Sequence, residues 1–315
     1  MPFVLQSFEP LSVGIRRLLG EQLASVHRHL LSQNAQAGEG ADPTFAIHEA
    51  RKGLKRCRTL LRLLRRALGR DEAQALGAKL RDLGRLLSPY RDRHMLAEAA
   101  ARLAEKTAAS PFAEALGPVR TALAEQDLLQ PIPEEILRTL LPVLRGVAAT
   151  LETRLREFDE AELRSSLRAG LRRLLRRGRR AFKLAYREPT DAHFHEWRKR
   201  VKDVYYVGCL LHLSRPQKLA PWVDALDQLS DDLGDEHDLG ILANELQART
   251  LGGVAAVALT LQLIARRRDE LRITSRLAGE ALYRRSPAAM TRMFTRGLRA
   301  RDPQPLSRRE PQSRG

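Results

Sequence analysis

A chain of 315 residues, 43% of them apolar, is long enough to bury a substantial core in one large or two small domains. A formal net charge of +17 calls for an anionic partner: nucleic acid, an anionic membrane surface or a phosphate polymer. The two cysteines, Cys57 and Cys209, sit in apolar helical runs with neither metal-site nor disulfide spacing, so a disulfide scaffold is excluded and a reducing compartment is expected.

Leu, Ala and Arg dominate, β-branched residues are sparse, and apolar residues recur at helical spacing almost throughout, which predicts an all-α chain. In chain order the periodicity predicts helices over 10–33, 44–68, 71–87, 92–106, 111–127, 134–157, 160–187, 191–213, 218–233, 237–250, 254–282 and 287–300. Breaks fall at the Gly/Ala-rich 35–42 and the Pro-containing 129–133 and 214–216. The polar, Pro-containing 301–315 reads as a disordered tail. The opening MPFVLQSFEP has no basic start and no cleavage site, so no secretion signal is expected, and no apolar run is long enough to span a membrane.

Two of these helices carry the same motif. His48-Glu49-Ala50-Arg51-Lys52-Gly53-Leu54-Lys55 reads against His195-Glu196-Trp197-Arg198-Lys199-Arg200-Val201-Lys202. At nearly equal intervals downstream, Leu87-Ser88-Pro89-Tyr90-Arg91-Asp92 reads against Leu233-Gly234-Asp235-Glu236-His237-Asp238, each expected to open a helix. The chain thus holds two copies of one unit. The expected fold is two tandem, pseudo-symmetric four-helix bundles with a central basic cavity, the half-repeats covering about 10–130 and 131–300.

On a helical wheel His48, Arg51, Lys52, Lys55, Arg62 and Arg66 share roughly one third of the circumference. Leu54, Cys57, Leu60, Leu61 and Leu64 lie opposite. In the second copy His195, Arg198, Lys199, Lys202 and Tyr206 share a face opposite Val201, Val204 and Val207. Solvated faces ordinarily mix signs, because i,i+4 acid–base pairs stabilise a helix and like charges oppose it, so an all-cationic face makes sense where an anion binds. The chain has only eight lysines, and four of them fall in these two segments. Where arginine is the default cation, that clustering points to a need for compact ammonium charge.

A further run, Leu171 to Lys183, aligns Arg172, Arg176, Arg179 or Arg180, Lys183 and Arg187 along one side, just before the second motif. A short connection makes the two helices an antiparallel hairpin, whose facing cationic stripes are expected to form a basic groove. Forked guanidinium contacts with ammonium point charges suit a flexible chain of phosphates. Nucleic-acid readout would add base-reading or stacking groups, which these faces lack; non-specific binding of a nucleic-acid backbone stays open.

The paired H-x-x-R-K-x-x-K segments, each followed by L-x-x-x-[RH]-D, resemble the CHAD family, the conserved-histidine α-helical domain. HEWRKRVKDVYY with LGDEHDL is close to the family pattern, HEARKGLKRCR with LSPYRD matches it, and the likeness covers about residues 10–300, which makes 1–300 a single CHAD-like domain. The resemblance implies helical bundles around a basic cavity that binds inorganic polyphosphate, and a cytoplasmic association with polyphosphate granules. The cavity positions it carries over are His48, Arg51, Lys52, Lys55, His195, Arg198, Lys199 and Lys202, with Arg56, Arg58, Arg62, Arg91, Arg172, Arg176, Arg179, Arg180 and Lys183 as further candidates. At 203 an Asp stands where the first copy has Arg56, so the halves need not contact ligand equally.

Some neighbours read as structural. Glu49 and Glu196 suit the start of a helix or a cationic partner, and Asp92 and Asp238 suit helix caps or Arg partners. Trp197, Tyr205 and Tyr206 read as core or rim. No catalysis is expected. His48-Glu49 and His195-Glu196 are not zinc motifs, since Lys52 and Lys199 stand where the second His would be. His237-Asp238 lacks the further ligands of a metal phosphohydrolase, and its counterpart is Arg91-Asp92. Neither a P-loop nor the E-x-E-x-K signature of triphosphate-tunnel enzymes is present, and nothing calls for a cofactor. Arg-rich helices also suit a dimer interface, so the oligomeric state stays open.

Overall fold

The computed structural model describes residues 3–6, 9–35, 43–110, 112–126 and 132–298, and among these every regular element is helical. The expected tail at 301–315 and nearly all of the 35–42 and 129–133 breaks lie outside the described residues. In order the helices are α1 (Leu11–Ala35), α2 (Pro43–Leu68), α3 (Arg70–Leu86), α4 (Pro89–Lys106), α5 (Leu116–Gln126), α6 (Glu134–Arg154), α7 (Glu160–Arg187), α8 (Asp191–Leu211), α9 (Pro216–Ala248), α10 (Val254–Arg284) and α11 (Pro287–Thr295).

Local chemistry sets several boundaries. Pro89 lacks a backbone N–H and sits at the first position of α4, so the chain bends at Ser88 between α3 and α4. Asp159 and Glu162 form a capping box at the start of α7, and Thr190 accepts from the His193 N–H to open α8. Gly252 holds φ +83° beside the Pro118–Val119 backbone, where a Cβ would come within 2.7 Å of main-chain atoms. Glycine is required there on both counts.

One expected break is absent. The helices expected at 218–233 and 237–250 are the single helix α9, which runs on to Ala248, so His237 and Asp238 lie mid-helix and Asp238 caps nothing. The second copy has Gly234 and Asp235 where the first has Ser88 and Pro89. Glycine costs a helix only about 1 kcal/mol, whereas proline removes a bond and clashes with the preceding turn.

The apolar faces close into two cores. The larger is built from α1, α2, α3, α6, α7, α8, α11 and the first half of α9, and centres on buried residues such as Leu60, Leu64, Leu174, Trp197 and Val204. The smaller joins α4 and α5 to the second half of α9 and the first half of α10, through Leu103, Val119, Leu242 and Ile264. α9 therefore serves both cores. Sequence halves and packing units do not coincide: α4 and α5 pack on α9 and α10, while α6 packs back on α1 and α3.

α2 and α7 cross in close backbone contact. Ser166 Oγ donates to the Leu63 carbonyl at 3.1 Å and accepts from the Ala67 N–H at 3.2 Å. A Cβ on Gly170 would fall 2.6 Å from the Leu63 backbone. The α7–α8 hairpin is sealed by aromatics: Phe182, Tyr186, Phe194 and Trp197 meet at centroid distances of 5.1–6.3 Å, and Trp197 donates to Tyr283 Oη at 3.2 Å.

Candidate functional site

The packing brings α2, the α3–α4 bend, α8 and the middle of α9 around a cavity of about 430 Å³. Its cationic lining comes from α2 (Arg51, Lys55, Arg58, Arg62), α3 (Arg81, Arg85), α4 (Arg91) and α8 (Arg198, Lys199, Arg200, Lys202), with His195 and His237 beside them. Against these eleven Arg and Lys stand three acids, Asp92, Asp203 and Asp238. Two of the three are engaged: Asp238 accepts from Arg102 at 3.4 Å, and Asp203 is consumed by a buried network. The uncompensated charge of the lining is therefore strongly positive.

The two motifs enter the cavity in equivalent ways. Arg51 donates to the Gly84 carbonyl at 2.5 Å and to Ser88 Oγ at 2.6 Å, which fixes it against the bend. Arg198 lies by Gly234, the counterpart of Ser88, with Nη2 3.7 Å from where a Cβ there would stand. The Nε of both arginines is buried without a hydrogen-bond partner. Lys55, half-buried between them, makes no hydrogen bond or ion pair among the described residues; burial, with Arg198 and Lys202 next, holds its amine well below the ordinary lysine range. Burial, then Arg198, likewise lowers Lys202.

The histidines repeat the pattern. His195 and His237 rings stack at 4.2 Å between centroids. In the first copy Arg91 holds the His237 position and is the charge that acts most strongly on His48. Burial first, and the adjacent cations second, push His48, His195 and His237 down to about 4, so all three are neutral at pH 7.

Several expected contacts fall elsewhere. His48 and Lys52 stand outside the cavity lining, and Lys52 is bound to Glu49 at 2.5 Å just as Lys199 is bound to Glu196 at 2.7 Å. The two glutamates therefore hold the lysines three residues on. Arg56 points to the opposite side of α2, where it donates to Gln22 at 3.2 Å and lies over Phe3 and Tyr206. None of Arg172, Arg176, Arg179, Arg180 and Lys183 lines the cavity. The groove expected between α7 and α8 is filled by the aromatic seal instead, because the apolar stripe of α7 is the one that turns inward. Arg179 donates to the Tyr283 and Arg285 carbonyls at the end of α10.

Other lining residues were not singled out in the sequence. Arg200 is buried against Glu196 (2.8 Å) and Asp203 (3.0 Å), and Asp203 also accepts from Arg62 (2.7 Å) and Thr59 (3.1 Å). The Asp that replaces Arg56 in the second copy thus ties the two motif helices together. His237 could have been found by carrying Arg91 across the repeat; Arg81 and Arg85 show only an i,i+4 pair around Asp82. Among the described residues no group of three or more His, Cys, Asp or Glu is placed to hold a metal ion, and no helix is long and apolar enough to cross a membrane.

The two His-Arg-Lys-Lys helices of this all-helical protein thus converge on one cationic cavity. The CHAD domain model matches residues 21–247, and the chain belongs to the CHAD family. No curated protein matches it. Among solved structures the chain is similar to the crystal structure of the CHAD domain from the plant Ricinus communis, with 21% identity and a TM-score of 0.52, covering 96% of this chain and 97% of that one. At that identity the likeness speaks to the fold.

Proposed function

We propose that the chain binds inorganic polyphosphate in the cavity between its two motif helices and catalyses no reaction on it. The carrying observation is the trio Arg51, Lys55 and Arg198 in the cavity lining: two guanidiniums whose buried Nε donors have no acceptor, and one ammonium without a partner, among the described residues. Leaving buried donors unsatisfied costs about 1–3 kcal/mol each, and more for charged groups. A polyanion that supplies acceptor oxygens and opposite charge removes that penalty on binding. The resemblance to CHAD domains supports the same ligand class, and the two walls contribute unequally, since Arg58, Arg62, Arg81 and Arg85 all come from the first copy. In the cell we place the protein in the cytoplasm at polyphosphate granules, the two pseudo-symmetric halves forming the cavity around the polymer.

Titrating long-chain polyphosphate against the purified protein at low salt tests this; absence of binding there overturns it. Bound phosphates release counterions, so affinity is expected to fall steeply with salt. Replacing Lys55 and Lys202 by alanine is expected to abolish binding while the far-UV circular dichroism stays unchanged. A nucleic-acid-backbone scaffold is the alternative favoured by the +17 charge. Competition between polyphosphate and duplex DNA separates the two. Divalent-metal-dependent release of phosphate would instead support a phosphohydrolase using His237 and Asp238.

A further inference from the structure

A second pocket, of about 490 Å³, lies on the outer side of α7 between the end of α2 and α11. Arg66, Arg164, Arg168, Arg172 and Arg292 line it, and no acid does. None of the five makes a hydrogen bond or ion pair among the described residues. Other exposed helical arginines are paired in part: Arg138 with Glu134, Arg156 with Glu152, Arg266 with Glu270 and Arg276 with Glu280, whereas Arg28, Arg70, Arg120 and Arg145 stand singly among the described residues; what sets the outer pocket apart is that five arginines gather in it with no acid. The outer face of α7 carries no such acid–base pairs. Its last acid is Glu162, which is spent in the capping box, and Glu160 is spent on the backbone of Leu11 and Ser12 at the start of α1.

The second pocket is close to the first. Arg62 lines the cavity and Arg66 lines the outer pocket, four residues apart on α2 and so about 6 Å along its axis. Between the two lie Arg173, which donates to the Arg62 carbonyl at 2.6 Å, and Arg177, which faces Arg62 and Arg200. Burial and the crowding of neighbouring arginines hold both guanidiniums below their ordinary range. From Arg177 to Arg164 the helix rises about 20 Å, a length no compact anion spans.

We propose that the cavity continues over the α2–α7 crossing as an arginine track to this outer pocket, a second subsite that only a polyphosphate chain longer than the cavity reaches. The proposal rests on the polyphosphate reading of the cavity. It assigns to the outer arginines the role of extending one bound chain, with guanidinium forks on successive phosphates. Long chains then bind more tightly and with a steeper salt dependence than tripolyphosphate, which the cavity alone accommodates.

The test uses the full chain and its triple variant Arg164→Gln, Arg168→Gln, Arg292→Gln, each titrated with tripolyphosphate and with long-chain polyphosphate over a range of salt. In the variant, tripolyphosphate affinity is expected to be unchanged. Long-chain affinity is expected to drop about tenfold, with the log–log salt slope reduced by about 2, as for three lost contacts to a single strand. An unchanged long-chain affinity overturns the track, and so does an equal loss for both probes. Duplex DNA binding lost with long-chain polyphosphate binding intact also overturns it. Failure of the wild-type chain to bind either phosphate probe is a different result, which removes the cavity reading itself. Circular dichroism and the single variant Arg168→Gln, at an exposed position, guard against misfolding; a partial long-chain loss is expected from the single variant.

Discussion

The imidazoles of His195 on α8 and His237 on α9 stack 4.2 Å apart with their planes 33° from parallel, at the cavity wall. Lys199, Arg198 and Glu196 face His195, while Arg198, Asp191, Arg268 and Lys199 face His237. Burial and the excess of cations push both rings from 6.5 down to about 4, and His48 with them. Between those values the unfolded chain takes up protons that the folded chain refuses, so the free protein is expected to lose stability as pH falls from 6.5 toward 4. The raised carboxyls of Asp92 and Asp231 act in the opposite sense just above 3.8. Thermal melts across that window check the slope, and a flat profile counts against it.

A bound polyanion reverses this field. Negative oxygens beside the rings raise their pKa, so binding is expected to draw protons from solution below about pH 7 and to tighten as pH falls. Calorimetry in buffers of different ionisation enthalpy reads the uptake directly. His237→Gln is expected to reduce it while leaving binding at pH 8 nearly unchanged.

Asp203 carries a structural burden heavier than any other acid at the site. It accepts from Thr59, Arg62 and Arg200, and its removal leaves Arg62 and Arg200, the latter 8% exposed, with only Glu196 to offset their charge. Breaking a buried pair in this way costs about 3–5 kcal/mol. Asp203→Ala is therefore expected to lower the unfolding free energy from urea titration by that amount, with Asp203→Asn intermediate because it keeps an acceptor for Thr59. A loss under 1 kcal/mol would mean that water replaces the carboxylate.

How much of this was legible in the sequence follows from which forces act locally. The helices, the repeated motifs and the inward faces of α2 and α8 are set by 3.6-residue periodicity, and Leu54, Cys57, Val201 and Val204 are buried as their spacing demands. The joining of α9 through Gly234 was not legible, because a glycine between Leu233 and Asp235 looks the same whether a helix bends or runs on. The orientation of α7 was misjudged for a similar reason: cationic and apolar stripes were both visible, but which one faces α8 is decided by distant partners such as Tyr283 and by the Gly170–Leu63 approach. Arg81 and Arg85 reach the cavity because α3 packs along α2, a tertiary contact that local spacing does not show.

The α2–α7 crossing offers a cleaner test of packing. With a Cβ at 2.6 Å from the Leu63 Cα and carbonyl, Gly170→Ala must push two backbones apart, since no flexible side chain can yield. Overpacking of this kind costs about 1–3 kcal/mol, more than the helix propensity that alanine adds. A lower melting temperature is expected, together with weaker binding of long polyphosphate if the crossing also sets the arginine track. Gly146→Ala, which meets nothing within 4 Å, is the control and is expected to be neutral or stabilising.

Lys55 is where stability and binding should separate most sharply. Its ammonium has no partner in the protein, and Arg51, Arg91, Arg198 and Lys202 all oppose its charge. Replacing it by methionine keeps the apolar stem and removes the burial penalty, so Lys55→Met is expected to raise stability by about 1–3 kcal/mol. The same change removes the ammonium that lies between the two arginine walls, and polyphosphate affinity is expected to fall at least tenfold. Lys218→Met, at an exposed position outside the cavity, should change neither. Because the folded-state pKa of Lys55 is lowered, its destabilising effect is greatest at low pH and fades as pH rises through the ordinary lysine value of 10.5. The stability gained by Lys55→Met should therefore shrink between pH 8 and pH 10.5, and a pH-independent gain would show that the side chain, not its charge, is what the cavity tolerates poorly.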